Sequence, residues 1–183
     1  EHLREIDTVV LDKTGTLTAG RPEVISVIPV DDVAESELLR FAASLEQASE
    51  HPLAAAVVTA AKARVLRLGR SYGFAAVPGR GAMGVVQLRK VAVGNQALME
   101  AAGVDVRAIE PEAQRLRTLG QTVVFVALDG EPVGMLGLAD PLKTETWEVV
   151  QQLKADGIDE VVLSSDNEAS VRPAAALLGV AEV

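Results

Sequence analysis

The sequence predicts an α/β fold in which a parallel-sheet domain is interrupted by an inserted α+β domain with an antiparallel sheet. Near the two ends of the chain, apolar strand segments alternate with helical segments, a pattern typical of parallel sheets. The middle is rich in β-forming residues and punctuated by glycine, which is typical of hairpins. We therefore expect residues 1–19 and 139–183 to form the parallel domain and residues 20–138 to form the insert.

The first third of the chain predicts two strands followed by two helices. Residues 6–12, IDTVVLD, form a nearly continuous apolar run that ends in a polar residue, as in a strand buried on both faces of a parallel sheet. The segment 21–30, RPEVISVIPV, predicts the second strand. Apolar residues at helical spacing predict a helix within 35–50, and Pro52 suits the first turn of the next one.

The remaining elements change from antiparallel strands back to alternation of helix and strand. Residues 74–95 predict a hairpin or meander, and helical signals return at 96–102 and 111–119. The strand segments QTVVFVAL and PVGMLGLA are separated by DGEP, whose Asp-Gly pair is a strong hairpin signal. After them come a helix (TETWEVVQQLKADG), a strand (IDEVVLSSD) and a helix (ASVRPAAALLG).

Composition excludes several classes of function. The chain has no cysteine, which excludes disulfides and thiolate metal sites. Its net charge of −9 argues against nucleic acid or an anionic membrane surface as a partner. No run approaches the roughly 20 apolar residues of a membrane helix, and the start, EHLREID, does not resemble a signal peptide. An acidic chain can still bind a polyanion, but only with local dipoles and a few placed cations.

The stretch TVVLDKTGTLTAG, residues 8–20, contains the first candidate site. Asp12 ends the first predicted strand, and ligands of open α/β sheets bind at the carboxyl ends of strands. A carboxylate there can act as a nucleophile toward a phosphoryl group. The backbone N–H groups around Gly15 and the hydroxyls of Thr14 and Thr16 can hold phosphate oxygens. An isolated strand-end Asp more often caps a turn, but the full string favours phosphoryl chemistry.

The string DKTGTLT resembles, letter for letter, the phosphorylation motif of P-type ATPases in the haloacid-dehalogenase-like superfamily. This resemblance implies a haloacid-dehalogenase-like sheet domain with Asp12 as the phosphoryl acceptor. It further implies that Lys13, Thr14 and Thr16 bind the phosphoryl group, and that Asp12 and Thr14 are ligands of Mg²⁺. Phosphatases of the superfamily carry a second aspartate where Thr14 stands, and threonine cannot act as a general acid at neutral pH. The motif therefore favours a persistent aspartyl phosphate, as in a pump.

The segment SEHPLAAAV resembles the SEHP motif of heavy-metal-transporting P-type ATPases. The resemblance implies that Glu50 and His51 contact the adenine of ATP. Taken alone, a histidine before a helix-starting proline is more often a cap or a packed ring than a ligand. The short insert, roughly 20–138, also fits the heavy-metal subgroup.

Two glycine motifs follow in the order that the family has. PGRGAMG resembles its Gly-x-Gly motif through Gly79 and Gly81, and VGNQA resembles its Gly-Asn motif through Gly94 and Asn95. Glycine allows a backbone to approach a polyphosphate closely. A lone Gly-x-Gly would more often mark a bulge or a tight turn, but four motifs in order favour an ATP site.

The segment DPLK resembles the Asp-x-x-Lys hinge of the family, which implies that Asp140 and Lys143 lie near the phosphates and the domain joint. The sequence leaves a second interpretation open, in which Asp140 caps the following helix with Pro141 at its first position.

The segment LSSDN is similar to the family's LTGDN, which implies catalytic roles for Ser164 and Asp166. Ser165 replaces a glycine and would cost about 1 kcal/mol if the backbone there needs a positive φ. The chain ends at LLGVAEV, before the lysine and the GDGxND segment of the family. We therefore expect the parallel domain to be incomplete, and this chain to bind nucleotide without phosphorylating Asp12 efficiently.

The expected function is thus that of the ATP-binding and phosphorylation region of a heavy-metal pump, using ATP and Mg²⁺. The resemblance implies a cytoplasmic portion of an integral membrane protein that works with membrane and actuator domains. The SEHP form favours Cu⁺ as the transported ion over zinc or cadmium. A non-catalytic nucleotide-binding or regulatory module of the same fold is the alternative. A soluble phosphatase is a third, disfavoured by Thr14 and by SEHP.

Overall fold

The computed structural model describes residues 6–30, 32–163, 172 and 175–180 of the chain. The chain divides into two compact units, which are interleaved in sequence. Unit 1 comprises Glu1–Arg21, Arg117–Gly120 and Asp140–Val183, and unit 2 comprises Pro22–Leu116 and Gln121–Ala139.

Unit 1 is built on a pair of parallel strands. Strand β1, Thr8–Asp12, pairs with strand β8, Asp159–Leu163, so that Asp12 lies opposite Leu163. Helix α5, Thr146–Ala155, precedes β8 and packs against it. The predicted helix and strand at this end of the chain are confirmed as far as residue 163, and residues 172 and 175–178 are helical.

The prediction that β1 is buried on both faces is wrong for the described residues. Val10 is 56% exposed, whereas its neighbours Val9 and Leu11 are half-buried. The apolar cluster of unit 1, which includes Leu17, Val150, Val162 and Leu178, lies against one face of the strand pair. An apolar run predicts a strand, but it does not show how many faces of that strand are covered.

Unit 2 contains a six-stranded antiparallel sheet with the strand order β2-β7-β6-β5-β4-β3. Its strands are β2 (Glu23–Pro29), β3 (Ser71–Val77), β4 (Gly81–Val86), β5 (Arg89–Gly94), β6 (Thr122–Leu128) and β7 (Glu131–Ala139). The predicted meander corresponds to β3, β4 and β5, and the predicted hairpin turns at Asp129 and Gly130 between β6 and β7. A parallel strand pair and a separate antiparallel sheet confirm the predicted fold class.

Four helices accompany this sheet: α1 (Glu35–Glu46), α2 (Pro52–Ala63), α3 (Gln96–Ala101) and α4 (Glu110–Thr118). Leu38 and Leu45 of α1 and Val57 of α2 share one apolar cluster with Leu136 of the sheet. Side chains of α3 and α4 form a second cluster around the buried Phe125. In the part of the chain that the structure describes, no helix is long and apolar enough to cross a membrane.

The turn between β4 and β5 is strained. Gln87 and Leu88 have φ values of 51° and 68°, a region that L-residues other than Asn and Asp seldom occupy. Two-residue hairpins prefer Asn-Gly at such positions. Arg40 Nη1 donates a hydrogen bond of 2.7 Å to Gln87 Oε1, while the Leu88 side chain is 97% exposed. Leu88 therefore adopts an unfavourable conformation without burying its side chain.

Replacing Leu88 by glycine should raise the free energy of unfolding by about 1 kcal/mol, because glycine adopts a positive φ without steric cost. Urea titration followed by circular dichroism would measure the change. Leu88→Ala is the matched control, since it removes the exposed side chain and keeps a Cβ in the same conformation. Equal stabilisation by both variants would contradict strain as the cause.

Candidate functional site

The loop after β1 exposes the side chains that the sequence assigned to phosphoryl chemistry. Lys13–Leu17 form a single wide turn directly after Asp12, with Gly15 at a φ of 82°. The side chains of Asp12, Thr14 and Thr16 are exposed around this turn. Lys13 differs, because it is only 8% exposed. The structure thus brings together a carboxylate and two hydroxyls at the carboxyl end of a parallel strand.

A buried hydroxyl holds the base of this turn. Thr18 Oγ1 accepts a hydrogen bond of 3.2 Å from the Gly15 amide and lies 3.0 Å from Lys13 O. It also lies within hydrogen-bond distance of Asp140 Oδ2. The single hydroxyl proton can therefore be donated to either oxygen, and the residue is almost completely buried. Thr18 thus links both ends of the turn to the segment that begins at Asp140.

Asp140 does not cap a helix, so that interpretation of the sequence is wrong. Its Oδ2 accepts from the Gly20 amide at 3.1 Å, and its Oδ1 accepts from the Arg21 amide at 3.0 Å. Helix α5 begins only at Thr146. The Asp140 carboxylate accepts two amide hydrogen bonds and lies beside the Thr18 hydroxyl, so it fixes the far end of the loop that follows β1.

The rest of the DPLK segment runs along the same loop. Lys143 Nζ donates to Gly15 O at 2.7 Å, and the Lys143 amide donates to Leu17 O at 2.9 Å. Thr146 Oγ1 also donates to Leu17 O, at 2.7 Å. The structure therefore places one exposed ammonium group, that of Lys143, directly on the turn that follows Asp12.

Asp12 and Thr14 provide oxygen atoms suitable for Mg²⁺. Among the described residues there is no group of three His, Cys, Asp or Glu side chains that could hold a metal. Mg²⁺ is commonly bound by one or two carboxylates together with substrate phosphates and water, so a small set of exposed oxygen donors fits it. Ser164 and Asp166, which the sequence also assigned to the site, lie outside the described residues.

In unit 2, the two glycine motifs meet at one end of the sheet. Gly81 lies directly opposite Gly94 in the β4–β5 pair. Asn95 donates from Nδ2 to Gly79 O at 2.9 Å, and its Oδ1 accepts from the Leu98 amide at 3.1 Å, which caps α3. The amide side chain therefore fastens the turn before β4 to the start of α3.

Gly81 and Gly94 share one physical role, and Gly79 has another. A Cβ on Gly81 would lie 2.2 Å from Val93 O, and one on Gly94 would lie 2.3 Å from Arg80 O. Both glycines are therefore required by the close approach of the two strands. Gly79 has a φ of 69°, and a Cβ there would meet nothing within 4 Å. Of these three glycines, Gly79 is the one with open space beside it for a ligand.

The SEHP motif lies between α1 and α2, where Glu50 and His51 are both exposed. His51 is the N-cap of α2, because its Nδ1 accepts a hydrogen bond of 3.2 Å from the Leu53 amide. A ring that accepts at Nδ1 carries its proton on Nε2 and offers that atom as a donor. The hydrogen bonds of the described residues do not connect this loop with the glycine motifs.

Sequence reasoning missed Glu46, which ends α1 five residues before His51. It is only 9% exposed, and burial raises the pKa of its carboxyl, partly offset by a hydrogen bond from Ser49. Ser49 Oγ also accepts from the His51 amide at 3.3 Å, so Glu46 is connected with the SEHP loop. The signal was present, since Glu46 follows Leu39 and Ala42 at the helical spacing of the apolar face.

Comparison with known proteins identifies the family. The model of the haloacid dehalogenase-like hydrolases matches residues 6–183. The chain belongs to this family. It is similar to the copper-exporting P-type ATPase of Legionella pneumophila, with 40% identity over the whole of this chain and 25% of that protein.

Two solved structures extend the comparison. A zinc-transporting PIB-type ATPase in the E2.Pi state superimposes with a TM-score of 0.90 and 31% identity, over 97% of this chain and 29% of that one. The catalytic domain of the CPx-ATPase CopB-B, in a study of nucleotide binding, gives a TM-score of 0.71 and 27% identity over 98% and 62% of the two chains. The predicted resemblance to heavy-metal P-type ATPases is confirmed. The chain spans about a quarter of the length of the curated relatives it matches.

This haloacid dehalogenase-like chain should tolerate alanine at Gly79 better than at Gly81. Gly79→Ala should lower the free energy of unfolding by about 1 kcal/mol, the cost of a positive φ. Gly81→Ala should lower it by about 3 kcal/mol, because β4 and β5 must separate to admit the methyl group. Urea titration measures both values, and equal losses would show that the β4–β5 contact is not the cause.

Burial of Glu46 predicts a pH dependence of stability. Because the pKa is raised in the folded state, the contribution of Glu46 is full below its unfolded pKa, near 4.5, and is lost as pH rises through the folded pKa. Glu46→Gln should therefore remove a decline in unfolding free energy above pH 4.5 and be more stable than the parent chain at pH 7. Urea titrations across this range would measure it.

The matched control is Glu50→Gln, which removes an exposed carboxyl from the same segment. The two variants have the same net charge, so a general charge effect would change both pH profiles alike. Identical profiles for the two variants would contradict burial of Glu46 as the cause.

Proposed function

We propose that this chain is the ATP-binding and phosphorylation region of a heavy-metal cation-translocating P-type ATPase, with Asp12 as the phosphoryl acceptor. The observation that carries the proposal is the DKTGTLT turn. It presents the Asp12 carboxylate at the end of a parallel strand, flanked by two exposed hydroxyls, with Lys143 Nζ 2.7 Å from its backbone. Such a constellation suits in-line attack on a phosphoryl group held by hydroxyls, amides and a cation.

In this proposal unit 1 is the phosphorylation domain and unit 2 is the nucleotide-binding domain. ATP binds to unit 2 through Glu50, His51 and the turn at Gly79, while Gly81, Gly94 and Asn95 maintain that turn. The similarity to the CopB-B catalytic domain, which changes conformation upon nucleotide binding, supports nucleotide binding by this chain. Glu46 is added to the site as a buried carboxyl that orders the SEHP loop through Ser49.

The reaction follows from the residues of the turn. A carboxylate oxygen of Asp12 forms a bond to the γ-phosphorus of ATP while the bond to the β,γ-bridging oxygen breaks, and ADP leaves. Thr14 and Thr16 donate hydrogen bonds to the phosphoryl oxygens, and Lys143 provides positive charge beside the turn. Because Thr14 cannot activate water as a carboxylate would, the aspartyl phosphate persists.

Asp12 and Thr14 would hold Mg²⁺ together with phosphate oxygens of the substrate. The ion, when bound, neutralises charge on the transferring phosphoryl group. Lys13 is buried, so it stabilises the shape of the turn and adds positive charge beneath it. Lys143 is exposed and provides positive charge on the solvent side of the turn.

The proposal takes copper, as Cu⁺, as the transported ion. The Legionella pneumophila relative is a copper-exporting P-type ATPase, whereas the PIB-type neighbour of known structure transports zinc. The proposal also includes membrane and actuator domains as partners. This region would then be a cytoplasmic part of an integral membrane protein.

Labelling with γ-phosphate-labelled ATP tests the proposal on the protein in its native membrane. We expect an acid-stable label on Asp12 that hydroxylamine removes, and no label in Asp12→Asn. Thr14→Asp should carry less label at steady state, because the new carboxylate can activate water. ATP binding without any label would instead support the non-catalytic nucleotide-binding module, and label that turns over without metal would support the phosphatase.

A further inference from the structure

Arg80 is a cation in the middle of the Gly-x-Gly turn. Its side chain is exposed and makes no hydrogen bond or ion pair with any residue that the structure describes. Five other arginines of unit 2 are paired with neighbours: Arg40 with Gln87, Arg64 with Glu35, Arg89 with Asp129, Arg107 with Asp105 and Arg115 with Glu112. Arg80 is therefore available for a ligand.

The backbone of Arg80 is fixed on both sides. Its amide donates to Val77 O at 2.9 Å, and its carbonyl accepts from the Asn95 amide at 2.8 Å. Asn95 also holds Gly79 O through its side chain at 2.9 Å. With these backbone groups occupied, the guanidinium is the group of Arg80 that remains to bind a ligand, and it extends from a turn whose position is already set.

The space beside this turn is open on the side of Gly79, where an added Cβ would meet nothing within 4 Å. The residues that the resemblance assigned to ATP in unit 2 are an acid, a histidine, three glycines and an asparagine, so none of them is a permanent cation. The chain as a whole has a net charge of −9, which repels a polyphosphate. A placed arginine offsets this repulsion, and its planar fork can bind two phosphate oxygens at once.

We propose that Arg80 binds the β- and γ-phosphates of the nucleotide and makes unit 2 selective for nucleoside di- and triphosphates over monophosphates. This inference rests on the proposed function and adds to it a charged contact that the SEHP and glycine motifs do not supply. Asn95 is then a positioning residue, which holds the turn that carries Arg80.

Calorimetric titration of the chain with ATP, ADP, AMP and adenosine, without Mg²⁺, tests this inference. Arg80→Gln should weaken the binding of ATP and ADP by about 10-fold or more, as expected for the loss of a charge-assisted contact. It should leave the affinity for adenosine and AMP unchanged. Arg80→Lys should retain part of the ATP affinity, because the charge remains while the planar fork is lost.

Arg70→Gln is the matched control, since it removes an exposed arginine at the opposite end of β3 and changes the net charge equally. It should bind ATP like the parent chain. The dependence of ATP affinity on salt should also become shallower in Arg80→Gln and not in Arg70→Gln. Equal urea midpoints for the variants would show that the fold is intact.

Three results would overturn the inference. Unchanged ATP affinity in Arg80→Gln would show that the guanidinium does not contact phosphate. An equal loss for adenosine and ATP would show that the substitution acts through the shape of the turn. Failure of the parent chain to bind any of the four compounds would refute the nucleotide site itself, and with it the proposed function. The first two results, in contrast, would refute only the role of Arg80.

Discussion

The attachment of the segment 140–146 to the loop after β1 is the constraint on which unit 1 depends. Asp140 accepts two amide hydrogen bonds at the end of that loop, and the buried Thr18 hydroxyl lies between Asp140 and Lys13 O. Removing the carboxylate would free the exposed Gly20 and Arg21 amides and leave the buried Thr18 hydroxyl with Lys13 O as its acceptor. One carboxylate thus holds the far end of the loop after β1 and, through Thr18, the base of the turn that presents Asp12.

Hydrogen bonds at the two ends of the insert explain how a large insert is accommodated. Within unit 2, Glu23 pairs with Ala139, so the first and last strands of the insert are neighbours in its sheet. Within unit 1, the Ala19 amide donates to Pro141 O at 2.9 Å. In each unit, hydrogen bonds thus hold the two chain segments at the ends of the insert side by side. The entropic cost of inserting a long segment into the parallel domain is therefore small.

In unit 2, the residues that shape the proposed nucleotide site differ from those that can contact a ligand. Gly81 and Gly94 allow two strands to approach, and Asn95 fastens a turn to a helix. These residues are required for shape. In our proposals, the exposed groups that contact the ligand are the Glu50 carboxylate, the His51 ring and the Arg80 guanidinium. A sequence motif does not distinguish residues that shape a site from residues that contact a ligand. Their hydrogen bonds and neighbouring atoms do.

The sequence by itself determined the parts of this protein that depend on local pattern: the alternation of strand and helix, the Asp-Gly hairpin, and the Asp12 turn at a strand end. The tertiary structure decided what depends on residues distant in the chain. It showed that Val10 is exposed, that Asp140 holds a loop rather than a helix, and that Glu46 is buried. The physical reason is that periodicity and turn chemistry act within a few residues, whereas burial and hydrogen-bond partners are set by segments that meet only after folding.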